Sequence, residues 1–186
     1  MTKIVALSGS LRVGSYNSML LRAAAALVPA DTTIELATIE GIPLYNGDLE
    51  EKEGIPDAVT ALRERIAAAD GLLIATPEYN NSMPGVLKNA IDWLSRPPAE
   101  MTRVFAGRPV GLIGATPGPG GTILAQAAWL PVLRQFQMQP WFGGRMHLSG
   151  AGGAFDATGA LVDEKVRAQL EKYVAGFAKF VAGPRR

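Results

Sequence analysis

Ile4-Val5-Ala6-Leu7, then Ser8-Gly9-Ser10-Leu11-Arg12-Val13-Gly14-Ser15-Tyr16-Asn17-Ser18, then an Ala- and Leu-rich run to Leu27, is the stretch that decides the fold. A short apolar run reads as a buried strand, and the Ala/Leu pattern from about Ser15 to Leu27 reads as a helix. The polar loop between them delivers the chain from a strand end to a helix amino terminus. That junction suits anions, because the first helical N–H groups have no intrahelical acceptor and the helix dipole is positive there.

The same alternation continues outward. Thr33 to Thr38 reads as a second strand, followed by an irregular stretch from Glu40 to Gly54. Pro56 fits the first turn of a helix running to Ala69. Gly71 to Thr76 is a third strand, stopped by Pro77, and Pro84 opens the next helix. Pro109 to Gly114 is a fourth strand, followed by a glycine-rich loop from Pro117 to Gly121 and a helix to about Phe136. A weaker fifth strand lies within Gln139 to His147, and Asp163 begins a last helix that ends near Gly183-Pro184. Strands that alternate with helices predict an α/β fold: a doubly wound, five-stranded parallel sheet of order 2-1-3-4-5. At 186 residues one domain, 1–186, is expected. Ligands in such sheets bind beyond the carboxyl ends of the strands, so the loops after strands one, three and four are the places to search.

Composition narrows the chemistry. A net charge of +1 implies no nucleic-acid or acidic-membrane partner, and Arg185-Arg186 is too short for a basic tail. The chain has no cysteine, which removes thiolate, disulfide and iron–sulfur chemistry, so any redox function needs a bound cofactor. The single His147 reads as structural, and no metal-ligand cluster stands out. The apolar run at the amino terminus is too short for a signal peptide and no segment approaches a membrane span, so a cytoplasmic protein is expected.

In the first loop, Ser10, Ser15 and Asn17 are short donors and Arg12 offers a planar fork that matches phosphate. Tyr16 opens the helix. A P-loop would need Gly-Lys-Ser or Gly-Lys-Thr, but Gly14 is followed by Ser15 and Tyr16. The dinucleotide fingerprint is broken by Ser10 and Leu11. A mononucleotide phosphate fits better than a triphosphate or a pyrophosphate.

Gly9-Ser10-Leu11-Arg12 to Ser15-Tyr16-Asn17 resembles the phosphate loop of the NADPH-dependent FMN reductase family, which includes quinone, chromate and azo-dye reductases. After strand three, Pro77-Glu78-Tyr79-Asn80 followed by Ser82-Met83-Pro84-Gly85 resembles that family's flavin-ring loop. Pro77 and Pro84 stiffen both ends of this segment, leaving its amides and the Asn80 and Ser82 side chains to form a rigid rim. Ala115-Thr116-Pro117-Gly118-Pro119-Gly120-Gly121 resembles the third flavin loop, with Thr116 to Gly118 at the flavin edge. The tail from Phe155-Asp156 to Asp163-Glu164 also matches. One position departs: where the family often has arginine before Ala125-Gln126, this chain has Leu124.

The resemblance implies a flavodoxin-like fold, bound FMN, NADPH or NADH as electron donor, and a small acceptor such as a quinone. Hydride would pass through flavin N5, with no catalytic side chain and no metal required. A non-enzymatic electron carrier, or a reductase that supplies reduced FMN to a monooxygenase, are the other readings. A carrier usually needs a strongly charged docking face, which a balanced charge does not provide. Family members form homodimers or homotetramers, and the helix around Trp93 and the run Trp129 to Leu133 are the apolar surfaces expected to serve. Leu87, Ile91 and Leu94 read as packing residues, and Lys88 with Asp92 as an ordinary helix pair.

Overall fold

The computed structural model describes residues 1–183; Pro184 and the Arg185-Arg186 pair lie outside the described residues. Four long strands form the frame: β1 (Thr2–Ser8), β2 (Thr32–Ala37), β3 (Gly71–Ala75) and β4 (Pro109–Ala115). Two short strands, β5 (Gln139–Pro140) and β6 (His147–Leu148), complete it. The order is β2-β1-β3-β4-β5, with β6 also pairing β4, and every pair is parallel.

Alternation along the strands divides the apolar residues between two cores, as a two-residue side-chain period requires. Val5, Leu7, Leu72 and Ile74 face one core with α3 (Asp57–Ala67), α4 (Gly85–Leu94), α5 (Pro98–Phe105) and α6 (Ile123–Gln135). Ile4, Ala6, Leu73 and Ala75 face the other, with α1 (Tyr16–Leu27) and α7 (Glu164–Ala182). Helices therefore cover both faces of the sheet, which is why β1 and β3 read as unbroken apolar runs. Leu87, Ile91 and Leu94 are buried in the first core, and Lys88 pairs with Asp92 at 2.6 Å.

The structure departs from the sequence reading in four places. The stretch from Glu40 to Gly54 holds a short helix, α2 (Gly47–Glu53), capped by the Asn46 side chain and ended by Gly54 at φ 80°. An additional helix, α5, precedes β4 with Pro98 in its first turn. The fifth strand is two pieces of two residues each, separated by 141–146, because both lie along β4 at different heights. Trp93 and Trp129 themselves have no exposed surface and are core residues, while Leu130 and Pro131 of the same run are exposed. Among the described residues no helix is long and apolar enough to cross a membrane.

Candidate functional site

The loops after β1, β3 and β4 meet at the carboxyl ends of three neighbouring strands. Gly9 sets the closest approach. Its N–H donates to the Ala75 carbonyl at 2.9 Å, and a Cβ there would come within 2.6 Å of Leu87 and 3.0 Å of Pro77. Only glycine lets the loop after β1, the first loop, lie against the loop after β3, the third loop, without displacement.

The side chains of the first loop are engaged with the protein. Ser10 accepts from the Arg12 N–H at 3.2 Å. Ser15 is the N-cap of α1 and accepts, weakly, from the Ser18 N–H at 3.4 Å. The Asn17 amide is buried and clamps β4: it donates to the Ala115 carbonyl at 2.9 Å and accepts from the Ala115 N–H at 3.0 Å. Tyr16 is half-buried and stacks on Phe155 with ring centroids 6.0 Å apart. What stays free is backbone and one cation. The N–H groups of Leu11, Val13, Gly14, Tyr16 and Asn17 donate to no described group, and the exposed Arg12 guanidinium has no hydrogen bond or ion pair among the described residues. The first turn of α1 has no acidic residue, so its positive dipole end is uncompensated. An anion is the ligand such a cradle suits.

The third loop is a two-residue hairpin. Tyr79 and Ser82 exchange backbone hydrogen bonds of 3.1 and 3.0 Å, with Asn80 at φ 51° and Asn81 at φ 59° between them. Both central residues in the left-handed region make a type I′ turn, the geometry that favours asparagine. The N–H groups of Glu78, Asn80 and Asn81 have no described acceptor. Pro77 is buried, while Tyr79 is half exposed. The Glu78 carboxylate reaches across and accepts from the Ala125 N–H at 2.9 Å. Ala125 is the third residue of α6, whose N-cap Thr122 sits at φ 64° and makes no side-chain cap. Glu78 therefore caps α6 from another loop, a role its spacing in the sequence does not announce.

The loop after β4 has a wall that sequence reasoning missed. Thr116 donates from its N–H to Leu148 and accepts through its hydroxyl from the Gly118 N–H at 3.3 Å. Ala151 donates back to the Thr116 carbonyl, and Gly150 to the Gly118 carbonyl. The segment after β6 is thus stitched along Thr116 to Gly118, with Pro117 exposed. The run Ser149-Gly150-Ala151-Gly152-Gly153 was the available signal: small residues that permit close backbone approach. His147 stands behind this wall. Its Nε2 lies 3.1 Å from the Gln126 side-chain oxygen, and burial, with the nearby Arg145 charge, pushes its pKa down.

The structure thus brings Ser10, Arg12, Ser15, Tyr16, Asn17, Pro77, Glu78, Tyr79, Asn80, Ser82, Thr116, Pro117 and Gly118 to one end of the sheet, on three loops and the first turn of α1. A family model described as NADPH-dependent FMN reductase matches residues 2–152. An NAD(P)H-dependent FMN reductase of Pseudomonas aeruginosa is 48% identical over 96% of this chain and 95% of its own. A 2-hydroxy-1,4-benzoquinone reductase of a Burkholderia species is 39% identical over 96% of both. The solved structure of a flavoenzyme NAD(P)H:(acceptor) oxidoreductase from Paracoccus denitrificans superposes with a TM-score of 0.86 at 32% identity, over 97% of each chain. Sequence, strand order and loop geometry converge, and the chain belongs to the NADPH-dependent FMN reductase family.

Proposed function

We propose that this protein is an FMN-carrying NAD(P)H oxidoreductase that reduces quinones, built as one cytoplasmic domain per subunit and working as a homodimer or homotetramer. The carrying observation is the cradle at the start of α1, where free N–H groups and an unpaired Arg12 lie beside a rigid type I′ turn. The residues present fit FMN. Arg12 and the backbone N–H groups from Leu11 to Asn17 would hold its phosphate. Ser10, Ser15 and Asn17 would act mainly by fixing that backbone. The N–H groups of Glu78 and Asn80 would meet the carbonyl edge of the ring, with Tyr79 and Ser82 at its rim. Thr116, Pro117 and Gly118 would form the opposite wall.

FMN, when bound, would supply the redox chemistry that links a nicotinamide donor to the acceptor. The chain's own part is position. The Glu78 cap ties the third loop to α6, the Asn17 clamp ties the first loop to β4, and together they fix the width of the cleft. Exposed Leu11, Val13, Leu44 and Tyr79 on the loops at this end of the sheet give a second copy an apolar surface to cover.

An anaerobic spectral titration tests the assignment. FMN-loaded protein should bleach with NADPH or NADH and recover when a benzoquinone is added. Protein that holds FMN but is bleached by neither nicotinamide, or that binds no FMN, would refute it. Light scattering at micromolar concentration should report a dimer or tetramer.

A further inference from the structure

We propose that the far edge of the sheet carries a second small-molecule site, separate from the flavin cleft, for a planar aromatic anion. The site arises from the break between β5 and β6. Both strands pair with β4, but 141–146 leaves the sheet edge between them. The gap is a cavity of about 340 Å³ walled by Ile123, Leu130, Trp141 and Phe142, with Arg145 and His147 at its polar side. That volume is within the range of small-ligand sites, and an apolar cavity with a few convergent polar groups is their usual form.

The aromatic wall is rigid. A Cβ at Gly143, Gly144 or Gly176 would come within 2.6 to 2.8 Å of the Trp141 ring, so the indole lies directly on backbone. Its other contacts are edge-on to Tyr173, with centroids 4.8 Å apart, and tilted to Phe177 at 5.8 Å. The indole N–H has no acceptor among the described residues. Across the cavity Phe142 is 73% exposed, a large apolar ring with no cover.

The charge at this edge is of one sign and uncompensated. The guanidinium of Arg145 has no hydrogen bond or ion pair with a described residue. Arg145 and Trp141 also wall an adjoining cavity of about 400 Å³ that holds Lys172, likewise without an ion pair. The two cavities contain no carboxylate. A fixed aromatic wall, an exposed phenyl ring and unpaired cations suit a flat ring bearing a carboxylate, which the guanidinium fork can take in two hydrogen bonds. None of the residues that line either cavity belongs to the loops after β1 or β3.

The three tryptophans make the test specific. Trp93 and Trp129 are fully buried, and the Trp129 indole N–H donates to Thr76, next to Pro77 in the third loop. FMN-loaded protein with ¹⁵N-labelled tryptophan should show three indole N–H signals, assigned with Trp141→Phe. Titration with 2-naphthoate should move the Trp141 signal saturably and leave Trp93 and Trp129 in place. The neutral 2-naphthamide should bind more weakly. Arg145→Gln should weaken naphthoate roughly two- to fivefold, the size expected of an exposed ion pair, and leave naphthamide unchanged. Phe142→Ala should weaken both. Three results would overturn the proposal: no saturable shift at Trp141, as when a second copy covers the edge; equal affinity for acid and amide; or a shift at Trp129 alone, which would place the ligand in the cleft.

Discussion

The loops after β1 and β3 are both polar, and they employ their polar residues in opposite ways. In the first loop Ser10, Ser15 and Asn17 are at most 9% exposed, and each bonds to the chain's own backbone. In the third loop Asn80 and Asn81 are exposed and make no side-chain hydrogen bond among the described residues; they matter because asparagine tolerates the left-handed backbone the turn needs. One loop is shaped by side-chain clamps, the other by backbone conformation. Both leave unpaired N–H groups at the same end of the sheet. Polar side chains here serve as frame, and the backbone they hold presents the free N–H groups.

Asn17→Ala should have the largest effect, because Asn17 makes two buried bonds to β4. Removing the amide leaves the N–H and carbonyl of Ala115 without partners inside the protein. Each orphaned buried group costs about 1–3 kcal/mol, so a loss of about 2–6 kcal/mol is expected. For a chain of this size that is a fall in Tm of about 4–24 °C. Scanning calorimetry of the FMN-free protein reads it directly. An unchanged Tm with weakened FMN binding would mean that Asn17 acts on the ligand and not on the frame.

Arg12→Ala should do the reverse. The guanidinium bonds to nothing described in the protein, so the FMN-free Tm should stay where it is. A charged hydrogen bond to phosphate contributes about 1.5–3 kcal/mol, which is a tenfold or greater rise in the Kd for FMN. Flavin fluorescence on titration measures it. An unchanged Kd would remove Arg12 from the phosphate site.

The pair also shows what was legible in the sequence. The doubly wound sheet was readable because β1 and β3 are buried on both faces and therefore apolar throughout. The three loops stand out in the sequence because each joins a strand end to a helix start at one end of the sheet. Asn17 reads as a free donor in the sequence because nothing local reveals a partner 98 residues away. Nothing local ties the Glu78 carboxylate to the Ala125 N–H, 47 residues on, from which it accepts. β6 has two residues and so no period to detect. The burial of Trp93 and Trp129 depended on which helices pack against them, a tertiary fact that an amphipathic pattern leaves open.

A smaller effect is expected where the two loops share work with α6. Among the described residues Glu78 is the side-chain acceptor that caps that helix, and Glu78→Ala should cost about 1 kcal/mol, or about 2–4 °C in Tm. Glu78→Gln keeps an oxygen acceptor and loses only the charge beside the helix dipole, so it should cost a few tenths of a kcal/mol. Equal losses for the two variants would show that charge, not the hydrogen bond, holds the brace.

The smallest effect isolates backbone shape. At φ 51° glycine is unstrained and alanine is not, with asparagine between them. Asn80→Gly should therefore leave Tm within about 1 °C, while Asn80→Ala should cost roughly 1 kcal/mol. FMN affinity should follow the same order, because the turn presents the Asn80 N–H whichever side chain the residue carries. If glycine and alanine weakened FMN equally while Tm separated them, the Asn80 side chain would itself be a ligand contact. The third loop would then join the first in binding through a side chain, and the division between frame and ligand groups would shift to include it.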